Sequence, residues 1–157
     1  IKSRTRMEIK LRDVNKKDWD YILELRNNFF EDDFLKQKNC ITKIEHYNYM
    51  KKQESNTNFH QWISTDGRED IGYIRLLKDD VSIMVDQKFQ NKGIGTMMLR
   101  LLEDKAKIIG IKKIKAVVRK NNFSSEKIFE KNNYQIKTLI FEKDITKDDL
   151  IKEDDIL

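Results

Sequence analysis

The run Val81-Ser82-Ile83-Met84-Val85, followed closely by Gln90-Asn91-Lys92-Gly93-Ile94-Gly95-Thr96, constrains the fold more than any other stretch. The apolar run reads as a strand and the glycines as a tight turn. Lys92 to Ile109 reads as a long helix, with Ile94, Met97, Met98, Leu101, Leu102, Lys105 and Ile108 at helical spacing. Gly110 is expected to end it. A helix that starts on such a turn leaves its first N–H groups unpaired at the positive end of the helix dipole. That arrangement binds phosphate. The bland reading is that Gly93 and Gly95 only shape the turn.

The rest of the pattern sets this unit in a larger sheet. Glu8 to Arg12 alternates and predicts a strand. Asp18 to Phe30 carries Trp19, Ile22, Leu23, Leu25, Arg26 and Phe29 on a helical stripe, and Glu31 to Asn39 reads as irregular. Thr42 followed by Glu45 is a capping-box pattern opening a helix to about Gln53. Strands are predicted at Phe59–Thr65 and Ile71–Leu77 across an Asp66-Gly67 hairpin, and again after the turn Lys78-Asp79-Asp80. Beyond the long helix, Ile114–Val118 predicts a strand, Phe123–Lys131 a helix and Tyr134–Glu142 a last strand. The expected class is α/β: a mixed central sheet, an antiparallel meander leading into the strand-turn-helix unit, and helices on both faces. One domain is expected over 7–143. Residues 1–6 read as a cloning remnant or an upstream segment, and 144–157 as a tail or short helix.

Composition narrows the partners. The chain has 157 residues, 38% hydrophobic and 38% charged, enough for one domain with a lean core. A net charge of +5 suits an anionic ligand, but 32 basic and 27 acidic residues are interspersed without a basic block. No nucleic-acid partner is expected. Cys40 is the only cysteine, which excludes an internal disulfide and a cysteine-rich zinc site. It is expected to be buried as a small apolar residue. No stretch is apolar enough to span a membrane and no signal peptide is visible, so a cytoplasmic protein without metal is expected.

Three phosphate devices compete for the glycine turn. A dinucleotide fingerprint needs G-x-G-x-x-G, and Met98 stands where its third glycine belongs. The Walker pattern is absent. What remains, Gln90-Asn91-Lys92-Gly93-Ile94-Gly95, resembles motif A of the GNAT N-acetyltransferase superfamily. Asn122-Phe123-Ser124-Ser125-Glu126-Lys127-Ile128-Phe129-Glu130-Lys131-Asn132-Asn133-Tyr134 resembles motif B. Asn133 replaces the usual glycine there, and asparagine tolerates the left-handed turn. The resemblance runs from Met7 to about Glu142. It implies acetyl-CoA as co-substrate, with its pyrophosphate on the N–H groups of Asn91, Lys92, Gly93, Ile94, Gly95 and Thr96 beside Gln90. It further implies the pantetheine arm along Met84 and Val85, Asn122 on the arm's other side, and Lys92 steering the phosphates.

The resemblance implies attack of an amine on the thioester, which needs a proton removed from the amine and supplied to the thiolate. Many relatives carry a motif-B tyrosine as the acid; here that position is Phe129. Tyr134 matches a packing position. Candidate bases are His46, Asp86, His60 and Glu69, with His46 expected at the acceptor site. Leu25-Arg26-Asn27, Ile44-Glu45-His46-Tyr47-Asn48-Tyr49 and Ile71-Gly72-Tyr73-Ile74-Arg75 resemble the branch that acetylates nucleotide-linked amino sugars, as in pseudaminic-acid-type pathways. Arg26 and Arg75 would pair with the diphosphate, Tyr49 or Phe30 would stack on the base or sugar, and Asn27 and His46 would contact the acceptor. Ordinary surface salt bridges are the alternative for the two arginines. Two other functions stay open. One is acetylation of a protein N-terminus or polyamine, with Glu31, Asp32 and Asp33 lining an acidic groove. The other is a non-catalytic acetyl-CoA-binding module. A homodimer is compatible with the family.

Overall fold

The computed structural model describes residues 8–32 and 40–146, with the side chains of 29–32 left outside it. The expectations for residues 1–6 and for Asp33 lie outside the described residues, as do those for the side chains of Phe30, Glu31 and Asp32 and most of the C-terminal tail. Among the described residues the sheet has the order β1-β2-β3-β4, all antiparallel: β1 Lys10–Asp13, β2 Phe59–Thr65, β3 Asp70–Leu77 and β4 Asp80–Val85. The helices are α1 Trp19–Asp32, α2 Lys43–Gln53, α3 Ile94–Ile109 and α4 Phe123–Lys131.

Local signals account for most of these boundaries. Thr42 and Glu45 form the reciprocal capping box at α2. In the β2–β3 hairpin, Asp66 Oδ1 accepts from the N–H groups of Arg68 and Glu69, both at 2.9 Å, while Gly67 takes φ 88°. Gly110 ends α3 at φ 93°, and Asn133 sits at φ 63° just past α4, in the left-handed conformation expected of it.

Side-chain alternation splits the core in two. Ile63 and Tyr73 join a cluster with Trp19, Ile22 and Met50 under α1 and α2. Their neighbours Trp62 and Ile74 point into a second cluster with Met98, Leu99 and Leu102 of α3. The buried row of α3 is Ile94, Gly95, Met98, Leu99, Leu102 and Ala106. It is rotated from the predicted stripe, and Met97 and Ile108 are exposed. Cys40, expected to be buried, is exposed.

Two predicted strands do not form ladders. Ile111, Ile114 and Ala116 pack against the α3-side core. Their segment nevertheless holds one parallel bridge, Asp80 with Lys115, made by Val81 N–H to Lys115 O at 2.9 Å and Lys115 N–H to Asp79 O at 2.7 Å. The stretch Tyr134–Glu142 adds no strand. Its Leu139-Ile140-Phe141 run breaks the period of two, so no single face can bury it, and these three side chains are 72–91% exposed.

An ion cluster fastens α1 to the sheet. Arg12 makes two hydrogen bonds to Asp18, at 2.8 and 2.9 Å, and one to Asp70 at 2.9 Å, while Asn15 N–H donates to Asp18 at 2.8 Å. Burial pushes the Asp18 carboxyl up, but the Arg12 hydrogen bonds and the Asn15 N–H outweigh it and hold the group below its ordinary 3.8. Asp18→Asn is expected to cost about 2 kcal/mol at neutral pH, because partial solvation of Arg12 weakens the pairing. A carboxylate with a depressed folded pKa contributes stability above its unfolded pKa and loses it as pH falls. The gap between wild type and variant in urea titrations should therefore shrink as pH drops below 3.8. A gap independent of pH would show that the Arg12 pairing contributes nothing.

Candidate active site

β4 ends at Val85, and Asp86 caps a single 3-10 turn at Gln87–Phe89 by accepting from Lys88 N–H. Asn91 at φ 63° and Gly93 at φ 75° then swing the chain into α3. Gly93 gives α3 no side-chain cap, and the first intrahelical hydrogen bond is Met97 N–H to Gly93 O at 3.2 Å. The N–H groups of Ile94, Gly95 and Thr96 therefore have no partner within the helix.

They open on a cavity of about 610 Å³, within the range of small-molecule sites. It is lined by Gln90, Asn91, Gly93, Ile94, Gly95 and Thr96 on the loop side, by Met84 and Val85 of β4, and by Asn122 just before α4. It extends inward to Leu25 and Asn28 of α1. Asn122 Oδ1 accepts from Ser125 N–H at 3.2 Å and caps α4, which leaves its Nδ2 group as the donor for a ligand.

The two glycines act for different reasons. At Gly93 a Cβ would meet nothing within 4 Å, so the requirement is the positive φ. At Gly95 a Cβ would fall 2.5 Å from Ile128 Cδ1, so the requirement is the close approach of α4.

The edge of β4 is more specific than the sequence reading. Val85 stands opposite Gly72, and Asp86 N–H donates to Ile71 O at 2.9 Å. Antiparallel alternation then places the main-chain groups of Met84 inside the β3–β4 ladder. Met84 thus offers the cavity its side chain and not its backbone, a correction to the expected pairing. Ile83 and Val85 turn their backbone groups the other way, the side on which Val81 reaches Lys115. No described strand follows the edge beyond that bridge. Gln90 Nε2 donates to Val85 O at 3.4 Å.

Other predicted residues are placed elsewhere. Lys92 is not among the lining residues; its ammonium lies 5.7 Å from the Phe89 ring centre. His46 is fully buried between α1 and α2, with Nε2 2.8 Å from Trp19 O and Nδ1 3.5 Å from Arg26 Nη1. The carbonyl requires Nε2 to donate, and the guanidinium requires Nδ1 to accept. Both nitrogens are engaged and neither faces the cavity, so a base role has no geometry. Burial pushes the imidazole pKa down; the Trp19 hydrogen bond raises it and the Arg26 charge lowers it further. Asn27 uses both ends of its amide on the Ile41 backbone, at 3.0 and 3.2 Å, which closes the chain back on α1.

Among the other candidate bases, Asp86 serves as the cap and accepts from Tyr21 OH at 3.3 Å, Glu69 is exposed in the hairpin, and His60 stacks on Trp62. Phe129 packs edge-on against Tyr134 at 5.2 Å, and Tyr134 OH donates to Glu103 on α3. Arg26, Tyr49 and Arg75 gather around Tyr73 on the α1–α2 side of the sheet. The Arg26 guanidinium lies 5.1 Å from the Tyr49 ring centre, Tyr73 OH donates to Gln61 at 2.9 Å, and Arg75 pairs with Asp80 at 3.2 Å. Burial raises the Tyr73 phenol pKa, while the charges of Arg75 and Arg26 oppose the rise.

The sequence reading missed Lys127 and Lys131, which also line the cavity. The signal was available, since Ser124, Lys127 and Lys131 share a face at helical spacing. No carboxylate lines the cavity among the described residues. Nor is any group of three His, Cys, Asp or Glu arranged there to hold a metal, and no described helix is long and apolar enough to cross a membrane.

The model of the acetyltransferase (GNAT) family matches residues 19–134. A domain from Methanocaldococcus jannaschii shares the fold with a TM-score of 0.70 and 24% identity, over 82% of this chain and 88% of that one. Spermidine N-acetyltransferase from Vibrio cholerae, solved in complex with CoA and spermine, gives a TM-score of 0.69 and 18% identity, over 80% of each chain. The uncharacterized protein YdhI of Bacillus subtilis is 36% identical over 58 residues, or 37% of this chain. The match spans 36% of that relative's length.

Proposed function

The chain belongs to the acetyltransferase (GNAT) family, and on that premise we propose that it moves an acetyl group from acetyl-CoA to the primary amine of a nucleotide-linked amino sugar. The observation that carries the donor half is the cavity in which three unpaired N–H groups of α3 face the open edge of β4. The residues present suit the donor. A positive helix end with a bare glycine accepts a pyrophosphate, and Ile83 and Val85 offer main-chain groups to an amide-bearing arm. Acetyl-CoA supplies the activated thioester carbonyl that the acceptor amine attacks.

Proton handling falls to the reactants and solvent. Phe129 supplies no acid, but a thiol of pKa about 8.5 leaves as thiolate without one. An amine on a sugar ring loses its proton more readily than lysine, whose pKa is about 10.4, so water suffices as acceptor.

The acceptor half rests on the cluster at Arg26, Tyr49, Tyr73 and Arg75. Leu25 and Met84 line the cavity and also pack in the core cluster that contains Tyr73, so the Arg26 cluster adjoins the cavity wall through that packed layer. Arg26 is held by His46 Nδ1 and the Tyr49 ring, an arrangement that pre-orders its fork for a diphosphate. His46 is in this reading a positioning residue.

A thiol-release assay with acetyl-CoA and three acceptor classes tests the proposal. Turnover is expected with a nucleotide amino sugar, and Arg26→Ala should raise the KM of that acceptor about tenfold with little change in donor affinity. Turnover with spermidine or peptides alone would replace the acceptor assignment. Tight donor binding without turnover on any amine would make the protein a binding module.

A further inference from the structure

We propose that Lys127 and Lys131 form a second anion subsite that binds the terminal 3′-phosphomonoester of coenzyme A, so that the enzyme selects CoA over its 3′-dephospho form. This rests on the donor reading above and adds to it a residue pair that sets donor specificity.

Both side chains line the cavity. They lie at i and i+4 on α4, one above the other on the same face. α4 is locked beside the phosphate-binding loop, because Ile128 fills the space over Gly95 and Arg100 Nε donates to Asn132 Oδ1 at 3.2 Å. The two stems therefore start from a fixed platform next to the loop. Among the described ion pairs, lysines 10, 16, 43, 107 and 115 have carboxylate partners, and neither Lys127 nor Lys131 is used.

The charges also need a separate ligand group. The three N–H groups at the start of α3 already account for one phosphate cluster. Coenzyme A carries a pyrophosphate and, separately, a phosphomonoester. A phosphomonoester bears a charge of about −1.5 to −2 at neutral pH. Two ammonium groups match that charge, and no carboxylate in the described cavity wall competes for them.

Calorimetry on the full chain with coenzyme A and with 3′-dephospho-coenzyme A tests this. The wild type is expected to bind coenzyme A about tenfold more tightly, as for two partly solvated ion pairs. Lys127→Gln with Lys131→Gln should bring the two affinities close together, and the Lys→Arg pair should keep them apart. Equal affinities in the wild type would overturn the proposal. So would a preference that survives in the double glutamine variant, or a double variant that weakens both ligands alike, which would assign the lysines to the pyrophosphate. Failure of the wild type to bind either ligand would overturn the donor reading itself, and the subsite with it.

Discussion

Gly93→Val is expected to weaken coenzyme A binding by about thirtyfold or more while the protein stays folded. The valine Cβ meets no atom within 4 Å, so nothing in the fold is displaced directly. The cost comes from the backbone. A β-branched residue at φ 75° is strained, and the chain relieves the strain by turning φ negative. That rotation redirects the N–H groups of Ile94, Gly95 and Thr96, which form the proposed anion site. Gly67→Val provides the control, because its φ of 88° and open surroundings impose the same kind of strain in the β2–β3 hairpin. It should lose a similar amount of stability and keep its affinity. Gly95→Val is a different experiment, since it presses on Ile128 and moves α4. Wild-type affinity in Gly93→Val, measured by calorimetry, would remove the loop from the donor site.

His46→Ala is expected to cost about 3 kcal/mol of stability. It empties a fully buried site and removes the hydrogen bond to Trp19 O that joins α2 to α1. The pH dependence identifies the cause. Burial lowers the folded-state pKa of His46 below its ordinary 6.5. Below 6.5 the unfolded chain takes up the proton while the folded protein resists it, so unfolding binds protons and stability falls as pH falls. At higher pH neither state is protonated and this contribution is complete. Melting temperatures of wild type and variant should therefore converge as pH is lowered from 7 through 6.5 toward 5. Parallel curves would show that His46 is not held neutral by burial. A variant with wild-type stability and no turnover would return the histidine to the chemistry.

The elements that the sequence made legible are those set within a few residues. The capping box at Thr42 and Glu45, the hairpin at Asp66-Gly67, the stop at Gly110 and the left-handed Asn133 all depend on neighbouring backbone, and all appear where expected. The glycine loop before α3 belongs to the same class, because helix start, glycine and preceding strand are adjacent in the chain. Ile114–Val118 and Tyr134–Glu142 show the limit. Apolar content suggested strands, but a ladder needs a partner at the right register, and only Lys115 finds one.

The site divides along the same line. Gly93 to Thr96 and Asn122 of the cavity wall could be named from motifs, as could Val85, whereas the inward backbone of Met84 and the outward backbone of Ile83 required the β3–β4 register. His46 looked like a base because its residue type can act as one, and packing against Trp19 and Arg26 decided otherwise. Sequence by itself determined that this chain builds a strand-turn-helix unit in an α/β domain, since periodicity, capping and glycine placement are local properties. Only the tertiary structure decided which backbone groups face the cavity, why Gly95 is a glycine, and that Lys127 and Lys131 stand beside the loop. Those depend on how α3, α4 and β4 pack, and packing joins residues that the chain keeps far apart.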